Sequence, residues 1–302
     1  MRLAFATAIA LLPLPALADV LEVQPVTDGV WAIVGPKEQR DAANLANNAT
    51  FGLVVTDEGA VLMDPGGSWK GAEMLDQTIH TLTEQPVKYV INTGGQDHRW
   101  LGNGYWQAQG ATVIASVAAV EDHHARADQH MIGLGQFLGE GLAGTVPAYA
   151  DVTFADSYAF DLGGISFQIT HPGPAHTPGD SFVFVPQKNT VFTGDIVYVE
   201  RILGVGEQSS ITDWPAAFEV MAATGATHVV PGHGHATTMD RARADTYDYL
   251  MSLRAQIAAL IEAGGDLSQA AAVDQSAFAR LEQFDSLSRK NAEVAFVQME
   301  FE

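Results

Sequence analysis

The chain contains no cysteine. That absence removes disulfides as staples and thiolates as nucleophiles or zinc ligands, so any metal must sit on His, Asp, Glu or amide groups. Basic residues are scarce as well: 15 Lys+Arg face 36 Asp+Glu, for a formal net charge of −21. No basic patch interrupts this balance, which argues against nucleic-acid backbones and anionic lipid surfaces as partners. No apolar run is long enough to span a bilayer, and a membrane anchor is not expected. Internal repeats and low-complexity linkers are missing too, so residues 19–302 read as a single domain with a C-terminal helical extension.

What is present begins with "MRLAFATAIALLPLPALAD". Arg2 precedes an apolar segment that ends in Ala16-Leu17-Ala18, the layout of a charged n-region, an h-region and an A-x-A cleavage site. Residues 1–18 are therefore expected to be a signal peptide, with a mature chain starting at Asp19 in the periplasm or the medium. Pro13 and Pro15 interrupt the segment, which is too short for an anchor.

Strand and helix signals then alternate. "GVWAIVG" and "TFGLVVTDEGAVLMDPGG" read as short strands, the latter two joined by a turn at Thr56 to Gly59. "WKGAEMLDQTIHTLTEQ" spaces Met74, Ile79 and Leu82 as a helix does, and "VKYVIN" and "ATVIAS" are strands before a polar helix from Val117 to about Gly139. "ISFQITH", "DSFVFV", "TVFTGDIVY" and "THVVPGHGH" supply further strands, and helical segments follow from Asp240 to Ala263 and beyond. Strands with helices outside make an α/β layered architecture, in which chemistry sits on loops at strand ends.

Four such loops carry polar residues: "GGQDHR" at Gly94 to Arg99, "GPAHTPGD" at Gly173 to Asp180, "TGD" at Thr193 to Asp195, and "PGHGH" at Pro231 to His235. Their glycines allow close approach, so His98, His176, Asp195 and His233 can converge in one cleft. Three imidazoles and a carboxylate suit zinc, with iron or manganese as alternatives.

The order "HTPGD", "FTGD", "PGHG" after an early His-bearing loop resembles the metallo-β-lactamase fold superfamily, which implies an αββα sandwich with a metal cleft along one edge. "INTGGQDHRWLGNGYW", "HTPGDSFVF", "GDIVYVERILGVG" and the tail "AVDQSAFARLEQFDSLSRKNAEVAFVQMEFE" look like the exported group called quinoprotein relay system zinc metallohydrolases. That likeness implies a periplasmic setting beside a quinoprotein dehydrogenase or cytochrome partner, and a small-molecule substrate.

The family's first motif, His-x-His-x-Asp-His, is altered here. With Asn92-Thr93 and Gly102-Asn103 held in step, Gly94 and Gln96 replace the first two histidines, His98 the aspartate and Arg99 the last histidine. The usual first metal site would then need Gly94, Gln96 and His176, and a dinuclear centre is not expected. The second site keeps His98, Asp195 and His233 and leaves a fourth position to water, as catalytic zinc requires. A loop shorter by one residue would instead make Asp97-His98 the terminal pair and add Asp97 to the ligands; the ungapped register is preferred.

Arg99 cannot bind a metal and stays cationic, so it opposes a second divalent ion. It is expected to clamp a substrate carboxylate or to pair with Asp97 or Asp195. Gln96 and His176 can orient water or substrate instead of binding metal. The resulting reading is a mononuclear zinc hydrolase of an ester, thioester or lactam-like bond, with Asp195, Arg99 and His176 as catalytic candidates. The competing reading is a non-catalytic accessory or binding protein with a degenerate metal loop. Among other residues, His123, His124 and His130 read as solvated, His171 as support for His176, and Asp64 as a turn or supporting carboxylate. Tyr198, Glu200 and Arg201 read as shaping substrate access.

Overall fold

The computed structural model describes residues 20–300. The signal-peptide expectation for residues 1–18 lies outside that range.

The first sheet is built in simple chain order from β1 (Glu22–Thr27), β2 (Val30–Val34), β3 (Thr50–Thr56), β4 (Gly59–Met63), β5 (Val87–Ile91), β6 (Thr112–Ser116) and β7 (Val152–Phe154). Its first four strands pair antiparallel, and β4 to β7 pair parallel. Parallel neighbours need crossovers, which α1 (Trp69–Ile79), α2 (Asn103–Ala108) and α3 (Val117–Leu138) supply. The second sheet has the order β12-β11-β10-β9-β8, from β8 (Ser157–Leu162), β9 (Ile165–Thr170), β10 (Phe182–Val185), β11 (Thr190–Phe192) and β12 (His228–Val230). Helices α4 (Trp214–Ala222), α5 (Met239–Ala242), α6 (Asp248–Glu262), α7 (Leu267–Ala270) and α8 (Phe284–Met299) complete the chain.

Side-chain alternation builds three apolar layers from these elements. In β4, Val61 and Met63 turn to the second sheet, where they join Phe167, Val183, Phe192 and Val230. Leu62 and Ala60 turn the other way and pack with Leu75, Ile79 and Trp106 of the first helical layer. On the far side, Val191 and Val229 meet Trp214, Phe218, Leu253 and Phe296. Buried on both faces, the central strands read as continuous apolar runs. The result is the expected αββα sandwich.

The helix starts are local. Ser68 and Ser116 accept hydrogen bonds from Gly71 N and Ala119 N, capping α1 and α3. The sheets pack tightly at Gly52, where a Cβ would sit 2.2 Å from the Phe192 ring. Gly52→Val is therefore expected to destabilise the protein by about 1–3 kcal/mol through overpacking. In urea unfolding, Gly52→Val combined with Phe192→Leu should lose less than the sum of the single losses; strict additivity would mean that the two residues do not compete for this space.

Candidate metal centre

The strand ends at one edge of the sandwich converge on Arg99. Its side chain is fully buried, and a guanidinium carries five N–H donors. Nε and Nη2 form a fork on Asp195, at 3.3 Å to Oδ2 and 2.7 Å to Oδ1. Nη1 donates to Asp64 Oδ2 at 2.7 Å and to the Thr50 carbonyl at 3.2 Å, and Nη2 also donates to the Gly232 carbonyl at 2.8 Å. All five are thus used within the protein. Arg99 pairs with Asp195, as one alternative anticipated, but the expected clamp on a substrate carboxylate is corrected: no N–H remains to reach one.

Asp64 and Asp195 are shaped for this arginine. Asp64 adopts φ 69°, a left-handed conformation stabilised by hydrogen bonds from Thr93 N and Oγ1, both to Oδ1 at 2.8 and 2.9 Å. Asp195 lies in a tight turn whose preceding residue, Gly194, has φ 49°, and a Cβ at Gly194 would lie 2.2 Å from Thr93 Oγ1. Burial alone would raise the Asp195 pKa. The Arg99 charge and the approach of the His233 and His98 imidazoles more than offset it, so the carboxyl is held well below its usual range.

Two imidazoles flank this carboxylate. His98 Nε2 lies 3.4 Å from Asp195 Oδ2, and His233 Nε2 lies 3.2 Å from Oδ1. Ligand atoms of His98, Asp195 and His233 all lie within 4.8 Å of one another, and all three residues are buried. A tetrahedral zinc ion with bonds of about 2.0–2.1 Å sets its ligand atoms roughly 3.3 Å apart. The imidazole–carboxylate separations match that spacing. His98 Nε2 is also buried without a hydrogen-bond partner, which is costly unless a proton or cation lies between it and the carboxylate. The donor set therefore fits one divalent ion.

Asp97 stands behind this cluster. It forms an ion pair with Arg40 Nε and accepts from Arg40 Nη2 at 2.6 Å, while its Oδ1 lies 3.1 Å from His98 Nδ1. Burial raises its pKa, but the Arg40 charge and the His98 contacts prevail and hold it well below the usual range. Asp97 as a ligand is thus corrected: Arg40 turns it away, leaving it to orient the His98 ring. The geometry agrees with the ungapped loop. No sequence motif marks Arg40, which lies between β2 and β3.

Gln96 and His176 fall outside the three-residue cluster, and both line a cavity of about 340 Å³ beside it. Gln96 Oε1 is buried without a partner. His176 Nδ1 donates to the Gly204 carbonyl at 3.0 Å, which leaves Nε2 as the acceptor. Burial pushes this imidazole down to about 4, so it is neutral at pH 7. At Gly94 a Cβ would lie 2.4 Å from Asp180 Oδ1; the carboxyl fills the room a side chain would need. Burial and the Asp195 charge push Asp180 up to about 8.

The α3 histidines also require correction. His123 and His130 are buried, not solvated. His123 stacks on Trp100 with ring centroids 4.6 Å apart and donates from Nε2 to the Gly94 carbonyl at 3.0 Å. Only His124 is exposed. His171 contacts the Asp180 carbonyl at 2.7 Å instead of supporting His176. Tyr198 stacks on His233 with centroids 4.5 Å apart, and Glu200 bonds to His235 at 2.8 Å.

Two sheets packed face to face under helices, with a His-Asp-His cluster on loops at their edge, define an α/β protein built around a metal centre. The chain belongs to the metallo-beta-lactamase superfamily, whose profile matches residues 46–239. An uncharacterised protein of Mycobacterium bovis is 29% identical over 208 residues, spanning 61% of this chain and 84% of that protein. A type 2 metallo-beta-lactamase of Bacteroides fragilis is 24% identical over 222 residues, spanning 72% and 81%. A solved metallo-beta-lactamase from Pontibacter korlensis superposes with a TM-score of 0.62 at 26% identity, covering 76% of this chain and 99% of that one. Membership points to metal-dependent hydrolysis as the class of activity.

Two outcomes test this electrostatic arrangement. Arg99→Met leaves two buried carboxylates without their cation and should cost about 3–5 kcal/mol in urea unfolding, with partial recovery in Arg99→Met/Asp64→Asn. Asp180, raised in the folded state, binds its proton more tightly there than in the unfolded chain. Its contribution to stability is therefore complete below the unfolded pKa and is lost as pH rises towards about 8. Asp180→Asn should accordingly lose less stability than wild type between pH 5 and pH 8, and an equal loss would remove Asp180 from the balance.

Proposed function

We propose that the protein is a mononuclear zinc hydrolase of an ester, thioester or lactam-like bond, with His98, Asp195 and His233 holding the ion. The observation that carries this reading is the buried, unpartnered His98 Nε2 facing a carboxylate that is also approached by His233. Iron or manganese would suit the same donors less well than zinc. When bound, such an ion supplies Lewis acidity and makes water easier to deprotonate near neutral pH.

The remaining roles belong to the chain. Arg99 holds Asp195 ionised and fixes the orientation of its carboxylate, which both imidazoles face. Asp97 fixes the His98 ring from its Nδ1 side. His176, neutral and with its Nε2 free to accept a hydrogen bond, is placed to orient a water or a substrate in the cavity. Gln96 lines the same space.

The leader-like residues 1–18 and the resemblance to quinoprotein relay hydrolases support periplasmic action beside a dehydrogenase or cytochrome. The second reading, a non-catalytic accessory protein, is favoured by one observation: Arg99 already supplies a fixed cation between Asp64 and Asp195.

Elemental mass spectrometry separates the two. Purified without chelator, and in a second preparation reconstituted with zinc, the mature chain should hold about one zinc. The ion should be lost in His98→Ala and His233→Ala but retained in Asp97→Ala and His176→Ala, with His176→Ala lowering ester turnover. Zinc absent from both preparations would favour the accessory protein, and two ions per chain would contradict the saturated Arg99 site.

A further inference from the structure

The family profile ends at residue 239, yet the chain beyond it reaches back to the metal centre. Helix α8 lines the cavity with Leu287, Lys290 and Asn291, and Asn291 Nδ2 donates to the Leu203 carbonyl at 2.8 Å. Nearer the ligands, a turn of π-helix, Arg243–Tyr247, stands between α5 and α6. Such turns are rare and occur often at functional sites. An α-helix points successive side chains about 100° apart. The extra residue in a π-turn narrows that angle, and here Asp245 and Thr246 both reach one segment, residues 197–201.

That segment follows the ligand Asp195 and is held along both edges. On one edge, Gly232 N donates to the Val197 carbonyl and Val199 N to the His233 carbonyl, each at 2.9 Å, so that Tyr198 and His233 form a parallel bridge. On the other edge, Thr246 Oγ1 accepts from Tyr198 N at 2.9 Å and donates to Tyr198 O at 2.6 Å. One hydroxyl thereby does what the N–H and C=O of a neighbouring strand would do. Asp245 Oδ2 accepts from Glu200 N at 3.0 Å. Both residues are fully buried, and the Asp245 carboxylate is balanced by Arg241 Nε and Arg280 Nη2, each at 2.6 Å. Glu200 itself takes φ 66°, a conformation disfavoured for a residue with a Cβ. It is fixed from two sides, by Asp245 at its N–H and by Glu282 N at its carbonyl, 2.8 Å away.

The two histidine ligands differ in what steadies them. A metal-bound imidazole is normally oriented by an acceptor at its other nitrogen, and His98 has Asp97 there. His233 Nδ1 meets no carboxylate or carbonyl among the described residues; its neighbour is Arg201 Nη1 at 3.5 Å, the outer limit of a hydrogen bond. What lies against the His233 ring is Tyr198, stacked at 4.5 Å between centroids and 14° between planes.

We infer that the π-turn orients a metal ligand: Thr246 and Asp245 are positioning residues that fix Tyr198 against the imidazole of His233, in place of the contact that Asp97 gives His98. This assignment rests on the reading of His233 as a ligand, and it gives the chain beyond the family profile a part in setting the metal site.

Thr246→Val removes the hydroxyl and keeps the branched shape, whereas Thr246→Ser keeps the hydroxyl. Zinc affinity of the full-length protein is read by competition with a chromophoric chelator, ligand geometry by the visible absorption of the cobalt(II)-substituted protein, and stability by urea unfolding without metal. Thr246→Val should weaken zinc binding about tenfold or more and shift the cobalt bands, and Thr246→Ser should restore both. Tyr198→Leu, which loses the stack, should reproduce the Thr246→Val result, and Tyr198→Phe, which keeps it, should match wild type. This second pair carries the test if Thr246→Val does not fold. Lower stability with unchanged zinc affinity and cobalt bands, in Thr246→Val or in Tyr198→Leu, would overturn the assignment. Wild-type protein that takes up neither metal would remove the ligand reading, and the positioning is then decided by histidine-selective nitrogen NMR of the metal-free protein. There, Thr246→Val should move the His233 ring signals and leave those of His123 and His130 in place; unmoved His233 signals would overturn the role of the π-turn.

Discussion

One guanidinium joins the two sheets where the chemistry lies. Arg99 reaches the end of β3 at Thr50, Asp64 just beyond β4, Asp195 just beyond β11 and Gly232 just beyond β12. The first two belong to one sheet and the last two to the other. Three charges are taken out of water, which is tolerable only because the geometry is good and every donor is used. Asp195 has no freedom to turn, and the imidazoles of His98 and His233 face a carboxylate whose position was set by the scaffold.

That arrangement separates two kinds of positive charge. Arg99 is spent on structure, and despite its burial the charges of Asp195 and Asp64 keep it protonated. Arg201 sits a short way off in the cavity wall with its Nε unpartnered. Between them lies a donor set with room for a single ion. The Arg40–Asp97–His98 chain extends the same logic, since a carboxylate of the ligand type instead orients a ligand.

The sandwich was largely legible from the sequence because buried strands have to be apolar and their turns have to carry Gly, Asp or Asn. The central strands and the helices α1, α3 and α6 follow that pattern. Residues Glu22–Thr27 and Ser157–Leu162 do not: both are edge strands half open to solvent, the first mixing exposed and partly buried positions without a period of two and the second alternating them, and a short mixed run carries little signal. The polarity of "EDHHARADQH" likewise suggested water, but helical periodicity turns His123 and His130 inward against Trp100 while His124 stays out. A ring that can both stack and donate one hydrogen bond can be buried at modest cost.

The resemblance to the family put His98, Asp195 and His233 foremost among ligand candidates that also included His176, Asp97 and Gln96, while residue identity alone determined that no thiolate could bind metal and that Arg99 could not be a ligand. The latter two conclusions depend on what each side chain can chemically do, which is independent of where it sits. Only the tertiary structure decided which way the groups point. It turned Asp97 to Arg40, used up every donor of Arg99, left the Nε of Arg201 without a partner and brought α8 to the cavity from beyond the family domain. The reason is that pairing is a competition among groups distant in the chain. Asp195 lies 96 residues from Arg99, and Asn291 lies 88 from Leu203; separations of that size carry no local pattern, and packing alone selects the partner.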